Sequence, residues 1–80
     1  MIKIKKSEAK VLIFISNADK RFCFTKQISI KLRMDYGYCM RTLHQLAANG
    51  WLKSHQLEQK IFYELTAKAP IKQAKEIMSK

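Results

Sequence analysis

Glycine and proline are scarce in this 80-residue chain, at two and one. Both residues punctuate loops, so short turns between regular elements are expected rather than long irregular connections. Long apolar runs are missing as well. The longest, Val11 to Ile15, falls far short of the roughly 18–20 residues that cross a bilayer. It also lacks the small-residue cleavage site of a signal peptide. The expectation is an intracellular, cytoplasmic protein with no membrane partner. Cysteine is limited to Cys23 and Cys39, which form neither a C-x-x-C pair nor a zinc spacing. They read as two buried thiols, with no metal, cofactor or effector site expected. Acidic residues number six. There is no paired-carboxylate cluster, no Gly-rich phosphate loop, no H-E-x-x-H and no Ser/His/Asp set. The expectation is not an enzyme, and no small-molecule ligand is evident.

What the chain has is positive charge and enough apolar residues to fold. Sixteen Lys and Arg leave a formal net charge of +10, and so strong a field on so small a body selects polyanions, nucleic acid before anionic membrane. The sequence is 48% hydrophobic and 28% charged, which is globular rather than disordered. No repeat, low-complexity tract or linker divides it, so residues 1–80 read as one domain.

Residues 1–6 alternate apolar and basic, as a short strand or a flexible arm. Ser7 is a candidate cap for a helix to about Asn17, with Glu8 in the first turn, where the helix dipole favours an acid. Val11, Phe14, Ile15 and Ala18 share one face at i, i+3, i+4, i+7; Leu12 widens it and Ile13 lies off it. Arg21-Phe22-Cys23-Phe24 suits a short strand. Thr25 then caps a helix over about residues 26–33, with Ile28 and Leu32 facing one way. Asp35 caps a third helix from Tyr36 to about Ala48, which places Cys39, Leu43, Leu46 and Ala47 inside and Tyr38, Arg41, Gln45 and Ala48 outside. Thr42, His44 and Gly37 fall on the flanks. Asn49-Gly50 ends this helix. Residues 51–53 and 61–65 alternate as paired strands, joined by a polar loop from Ser54 to Lys60 that is longer than a tight turn and mobile at its tip. Thr66 caps a last helix to about Met78, with Pro70 in its first turn and Ile71, Ala74 and Met78 as its stripe.

The order is helix, strand, helix, helix, strand, strand, helix. Two short helices joined by a tight turn can dock the second in a major groove, with the two-stranded wing beside it on the backbone. Arg41 can pair with guanine or clamp a phosphate. Gln45 can pair with adenine, and Tyr38 can donate to a phosphate. Gly37 leaves room for close backbone approach at a helix N-terminus. Lys53, His55 and Lys60 of the wing suit phosphates equally well as they suit simple solubility. The candidate DNA-contacting set is Tyr36, Gly37, Tyr38, Arg41, His44, Gln45, Lys53, His55 and Lys60. The bland reading of Arg41 and Gln45 is a solvated helix face, and the competing functions are a protein-interaction adaptor and an architectural nucleic-acid binder without sequence preference.

Here the chain resembles a known family. Leu32-Arg33-Met34-Asp35 with Tyr38-Cys39-Met40-Arg41-Thr42-Leu43 resembles the turn and recognition helix of winged helix-turn-helix regulators, closest to the MarR and PadR type. Leu46-Ala47-Ala48-Asn49-Gly50-Trp51-Leu52 is similar to that family's passage into the wing, and Tyr63-Glu64-Leu65-Thr66 to its strand-to-helix exit. The resemblance implies an α+β, mostly helical winged helix-turn-helix fold. It also implies sequence-specific binding of double-stranded DNA and a role in transcriptional regulation. In that family the first and last helices join two protomers, so a homodimer is expected through Ile2, Ile4, Ile13, Ile71, Ala74, Ile77 and Met78, with recognition helices about 34–36 Å apart.

Overall fold

The computed structural model describes residues 3–79, and Ile2, named for the dimer face, lies outside them. Residues 3–5 carry no regular structure. Helix α1 spans Lys6–Asn17, and a 3₁₀ turn follows at Lys20–Phe22. Helices α2 and α3 cover Thr25–Leu32 and Tyr36–Ala48. Strands β1 and β2, Leu52–Leu57 and Lys60–Leu65, form the antiparallel wing, and α4 spans Ile71–Met78.

The start of α1 is set by Glu8 rather than by Ser7. The carboxylate of Glu8 accepts the Lys5 N–H at 2.8 Å, which satisfies a donor that the first turn leaves without a partner. The helix therefore begins before Ser7, whose hydroxyl becomes free to meet Tyr38. The buried face of α1 is also turned from the expected one: Glu8, Ala9, Val11, Leu12 and Ile15 are buried, while Phe14, Ala18 and Ile13 are only half-buried.

The strand expected at residues 21–24 is reduced to a single antiparallel bridge, Phe24 to Phe62, after the 3₁₀ turn. Asp19 causes this. Its carboxylate accepts the Arg21 N–H at 2.9 Å and winds the backbone before it can extend. The Cys23 carbonyl still accepts the Tyr63 N–H at 2.8 Å, so the segment is tied to the wing's edge. Phe24 rather than Thr25 precedes α2, whose first residue is Thr25. Arg33 closes α2 in the left-handed conformation, φ 54°. Asp35 caps α3 as expected, accepting the Tyr38 N–H at 3.1 Å, and Gly50 takes φ 82° after the helix, a conformation glycine adopts without strain.

The wing corrects the expected long loop. Pairing continues from Leu52 with Leu65 out to Leu57 with Lys60. Only Glu58 and Gln59 turn the chain, Glu58 with φ 59°, as two-residue hairpins require of a turn residue. Thr66 caps no helix. Its hydroxyl donates to the Gly50 carbonyl at 2.6 Å and accepts the Lys68 N–H at 3.3 Å, clasping the wing's base. Helix α4 begins only after Pro70.

The core draws on every helix and the wing. Val11, Leu12, Ile28, Cys39, Leu43 and Leu46 are its largest fully buried side chains, with Trp51, Leu52, Tyr63 and Ala74 around them. Burying each aliphatic side chain stabilises the fold by about 1.5–3 kcal/mol. Much of the apolar inventory assigned to a dimer is used within the protomer: Ala74 is fully buried, and Ile4, Ile71, Ile77 and Met78 pack against this core. On α3, Thr42 is buried in place of Ala47, its hydroxyl satisfied by the Tyr38 carbonyl at 2.9 Å.

Candidate nucleic-acid interface

The turn at Arg33 and Met34 and the Asp35 cap set α3 so that one long side of it faces solvent. Tyr36, Tyr38, Met40, Arg41, His44 and Gln45 are all exposed there. The face has two flanks. Tyr38, Arg41 and Gln45 line a cleft against Lys5 and Ser7 at the start of α1. Tyr36, Met40 and His44 line a second cleft, closed by Lys26 of α2 and by Lys60 and Ile61 of the wing. Six of the nine candidate residues line these clefts, Tyr38, Arg41 and Gln45 in the first and Tyr36, His44 and Lys60 in the second, while Gly37, Lys53 and His55 line neither.

Each side chain has a distinct state of engagement. The Tyr38 hydroxyl lies 2.9 Å from the Ser7 hydroxyl, which ties α3 to α1. Gln45 donates its side-chain amide to Asn49 at 3.2 Å. Among the described residues the carboxylate contacts of basic side chains are Arg21 with Asp19 and the His55 ring with Glu64, so the Arg41 guanidinium is not committed to a carboxylate. Gly37 serves the cap directly: a Cβ built there would lie 3.3 Å from the Asp35 carboxylate, tighter than ordinary van der Waals contact.

The polar side chains of the wing are more occupied than their number suggests. Lys60 holds its ammonium 4.5 Å above the Phe24 ring, a cation–π geometry, and Phe24 meets Phe62 edge-on at 5.4 Å. His55 Nε2 lies 3.0 Å from the Glu64 carboxylate, and Lys53 pairs in register with the same Glu64. Lys26, Lys5 and Met40 line the clefts without having been chosen from sequence. Lys26 was legible as the outward residue before Ile28, and Lys5 was not, because the segment ahead of α1 has no periodicity to orient it.

Burial pushes the Cys39 thiol up, and burial aided by the Asp19 charge does the same for Cys23. Both thiols are buried, and a thiol so shielded is a poor nucleophile and ligand. Burial likewise raises the Tyr63 phenol against an opposing hydrogen bond with Thr25. Among the described residues no three His, Cys, Asp or Glu gather as a metal set. Among the described residues no helix is long and apolar enough to cross a membrane.

No family model and no curated protein sequence matches the chain. Solved structures do. A mutant of Lactococcus lactis ZitR aligns over 98% of this chain and 53% of its own, at 22% identity and a TM-score of 0.79. Wild-type Lactococcus lactis ZitR in complex with DNA aligns over the same shares at 21% identity and 0.77. The zinc-dependent MarR family transcriptional regulator AdcR in its Zn(II)-bound state, again over 98% and 53%, aligns at 17% identity and 0.73. The chain spans about half the length of these proteins. Helix α1, the α2–turn–α3 pair, the two-stranded wing and α4 together make the winged helix-turn-helix fold of MarR-type regulators.

Proposed function

We propose that this protein binds double-stranded DNA with sequence preference and acts in the cytoplasm as a transcriptional regulator, not an enzyme. The observation that carries this reading is the solvent-facing side of α3 on a chain of net charge +10. Helix α3 enters the major groove with Arg41 and Gln45 toward the bases and Tyr38 toward a phosphate, while the helix start at Gly37 stays capped by the Asp35 carboxylate. Tyr36, His44 and Lys60 hold the adjoining backbone strand in the second cleft, while Lys53 and His55 meet phosphates along the wing. The same fold in complex with DNA in ZitR supports the assignment.

Two copies occupy adjacent half-sites, one helical turn apart. Because most of the apolar residues expected at a dimer face pack within the protomer, the pair forms on DNA rather than in free solution. The DNA supplies the effective concentration that joins them.

The test is affinity for duplexes selected from a random pool and for random duplex, measured across salt. Neutralising about 5–8 phosphates per pair gives a log–log slope of roughly −4.5 to −7. A flat salt response with no binding leaves a protein-interaction adaptor, and equal affinity for selected and random duplex leaves an architectural binder. Sedimentation equilibrium with and without duplex reads the pairing.

A further inference from the structure

On a different part of the surface from both α3 clefts, α1 and the end of α2 enclose an open groove of about 580 Å³. Its walls are Ile13, Phe14, Ala18, Leu32 and Met78, and its rim carries Lys10, Lys31 and Arg33. Among the described residues no carboxylate lines it, and neither salt bridge there involves these three cations. Arg33 reaches the rim from a left-handed helix end, φ 54°, a conformation uncommon for any residue but glycine or asparagine.

We infer that this groove is a docking site for an acidic amphipathic helix of a partner protein. The walls along α1 run from Lys10 to Ala18, and eight residues at about 1.5 Å each give roughly 12 Å, or two helical turns. An apolar stripe at i, i+3, i+4 and i+7 fills such a groove. Glutamates or aspartates flanking that stripe meet the cations on α1 and α2 together. Lys10 belongs to α1, while Lys31 and Arg33 belong to the end of α2, so an occupant that meets all three has to reach across both helices. A bilayer is flat and cannot fill a concavity. A second copy is disfavoured by charge: in a two-fold contact a patch meets itself, which sets Lys10, Lys31 and Arg33 against their own counterparts.

The probe is a fluorescently labelled helical peptide with Leu at i, i+3, i+4 and i+7 and Glu at the flanking positions, titrated with the full chain at near-physiological salt. Its control is a permuted peptide of the same composition without an apolar face, expected to bind at least about tenfold more weakly because it presents no stripe. The double variant Lys31→Glu with Arg33→Glu is expected to lose about tenfold or more in affinity for the amphipathic peptide, since it opposes the flanking acids. Ile13→Ser, on the wall, weakens the same peptide, and saturating duplex DNA leaves it bound. Equal binding of the permuted peptide overturns the inference. Indifference to the charge reversal does the same, as does displacement of the peptide by duplex. A free-solution dimer that Ile13→Asp dissociates would assign the groove to a second copy and overturn it too.

Discussion

Replacing Arg41 by alanine tests the proposed role of α3 more cleanly than any other change. Arg41 is exposed on α3 and outside both ion pairs of the described residues, so its loss breaks no carboxylate contact in the free protein. Alanine is at least as good a helix former as arginine, and melting is therefore expected to match wild type. The effect falls on the complex. A bidentate contact to a base is worth about 1–3 kcal/mol, which at about 1.4 kcal/mol per tenfold is a loss of roughly 5- to 150-fold on the preferred duplex. On random duplex only a charge near the backbone is lost, and the salt slope falls by about 1 or less. Lys60→Ala serves as the contrast. Its ammonium sits over Phe24 beside the second cleft, so it weakens every duplex by a similar factor and lowers the salt slope by about 1. Fluorescence anisotropy on selected and random duplexes at several salt concentrations measures both. Equal losses from Arg41→Ala on all sequences refute the assignment of Arg41 to base reading, and no loss on any sequence removes α3 from the interface.

The remaining predictions concern the scaffold. Leu43 is fully buried, so Leu43→Ala opens a cavity and destabilises by about 2–5 kcal/mol. In a domain of this size that lowers the thermal midpoint by at least about 8 °C, and an unchanged melt would mean that α3 packs on another face. Asp35→Ala removes the acceptor for the Tyr38 N–H and destabilises by about 0.5–2 kcal/mol, read by denaturant titration. Cys23 and Cys39 are buried with raised thiol values, so a thiol reagent modifies the native protein far more slowly than the unfolded one; rapid labelling of the native state contradicts this. The same two thiols and Tyr63 hold their protons more tightly folded than unfolded. Their contribution is complete below the ordinary thiol and phenol ranges and declines as pH rises through the raised folded values. Stability measured across alkaline pH should fall in that window.

Local chemistry was sufficient for much of this protein. Asp35 three residues ahead of Tyr38, with Asn49-Gly50 at the far end, bounds α3 without help from the rest of the chain. Caps and left-handed glycines act within one turn, and the alternation of Cys39, Leu43 and Leu46 selects the inner face by helical geometry alone. The net charge needs no structure at all. Other features depend on partners distant in sequence. Nothing near Ser7 reveals that Glu8 captures the Lys5 N–H first, or that the Ser7 hydroxyl meets Tyr38 on another helix. Arg21-Phe22-Cys23-Phe24 has strand-forming residues, yet the Asp19 turn leaves a single bridge at Phe24 and one bond from the Tyr63 N–H to the Cys23 carbonyl. The wing extends to Leu57 and Lys60 because each added cross-strand pair supports the next, even though Glu58 must take a conformation no local signal announces. Charge shows the same division. The sequence determined how many cations the chain carries, but only packing decided where they sit: Lys60 over an aromatic ring, Arg21 against Asp19, and Lys10, Lys31 and Arg33 along one groove. Such placements are set by the distances between elements, and those distances exist only after the helices and the wing have closed on a common core.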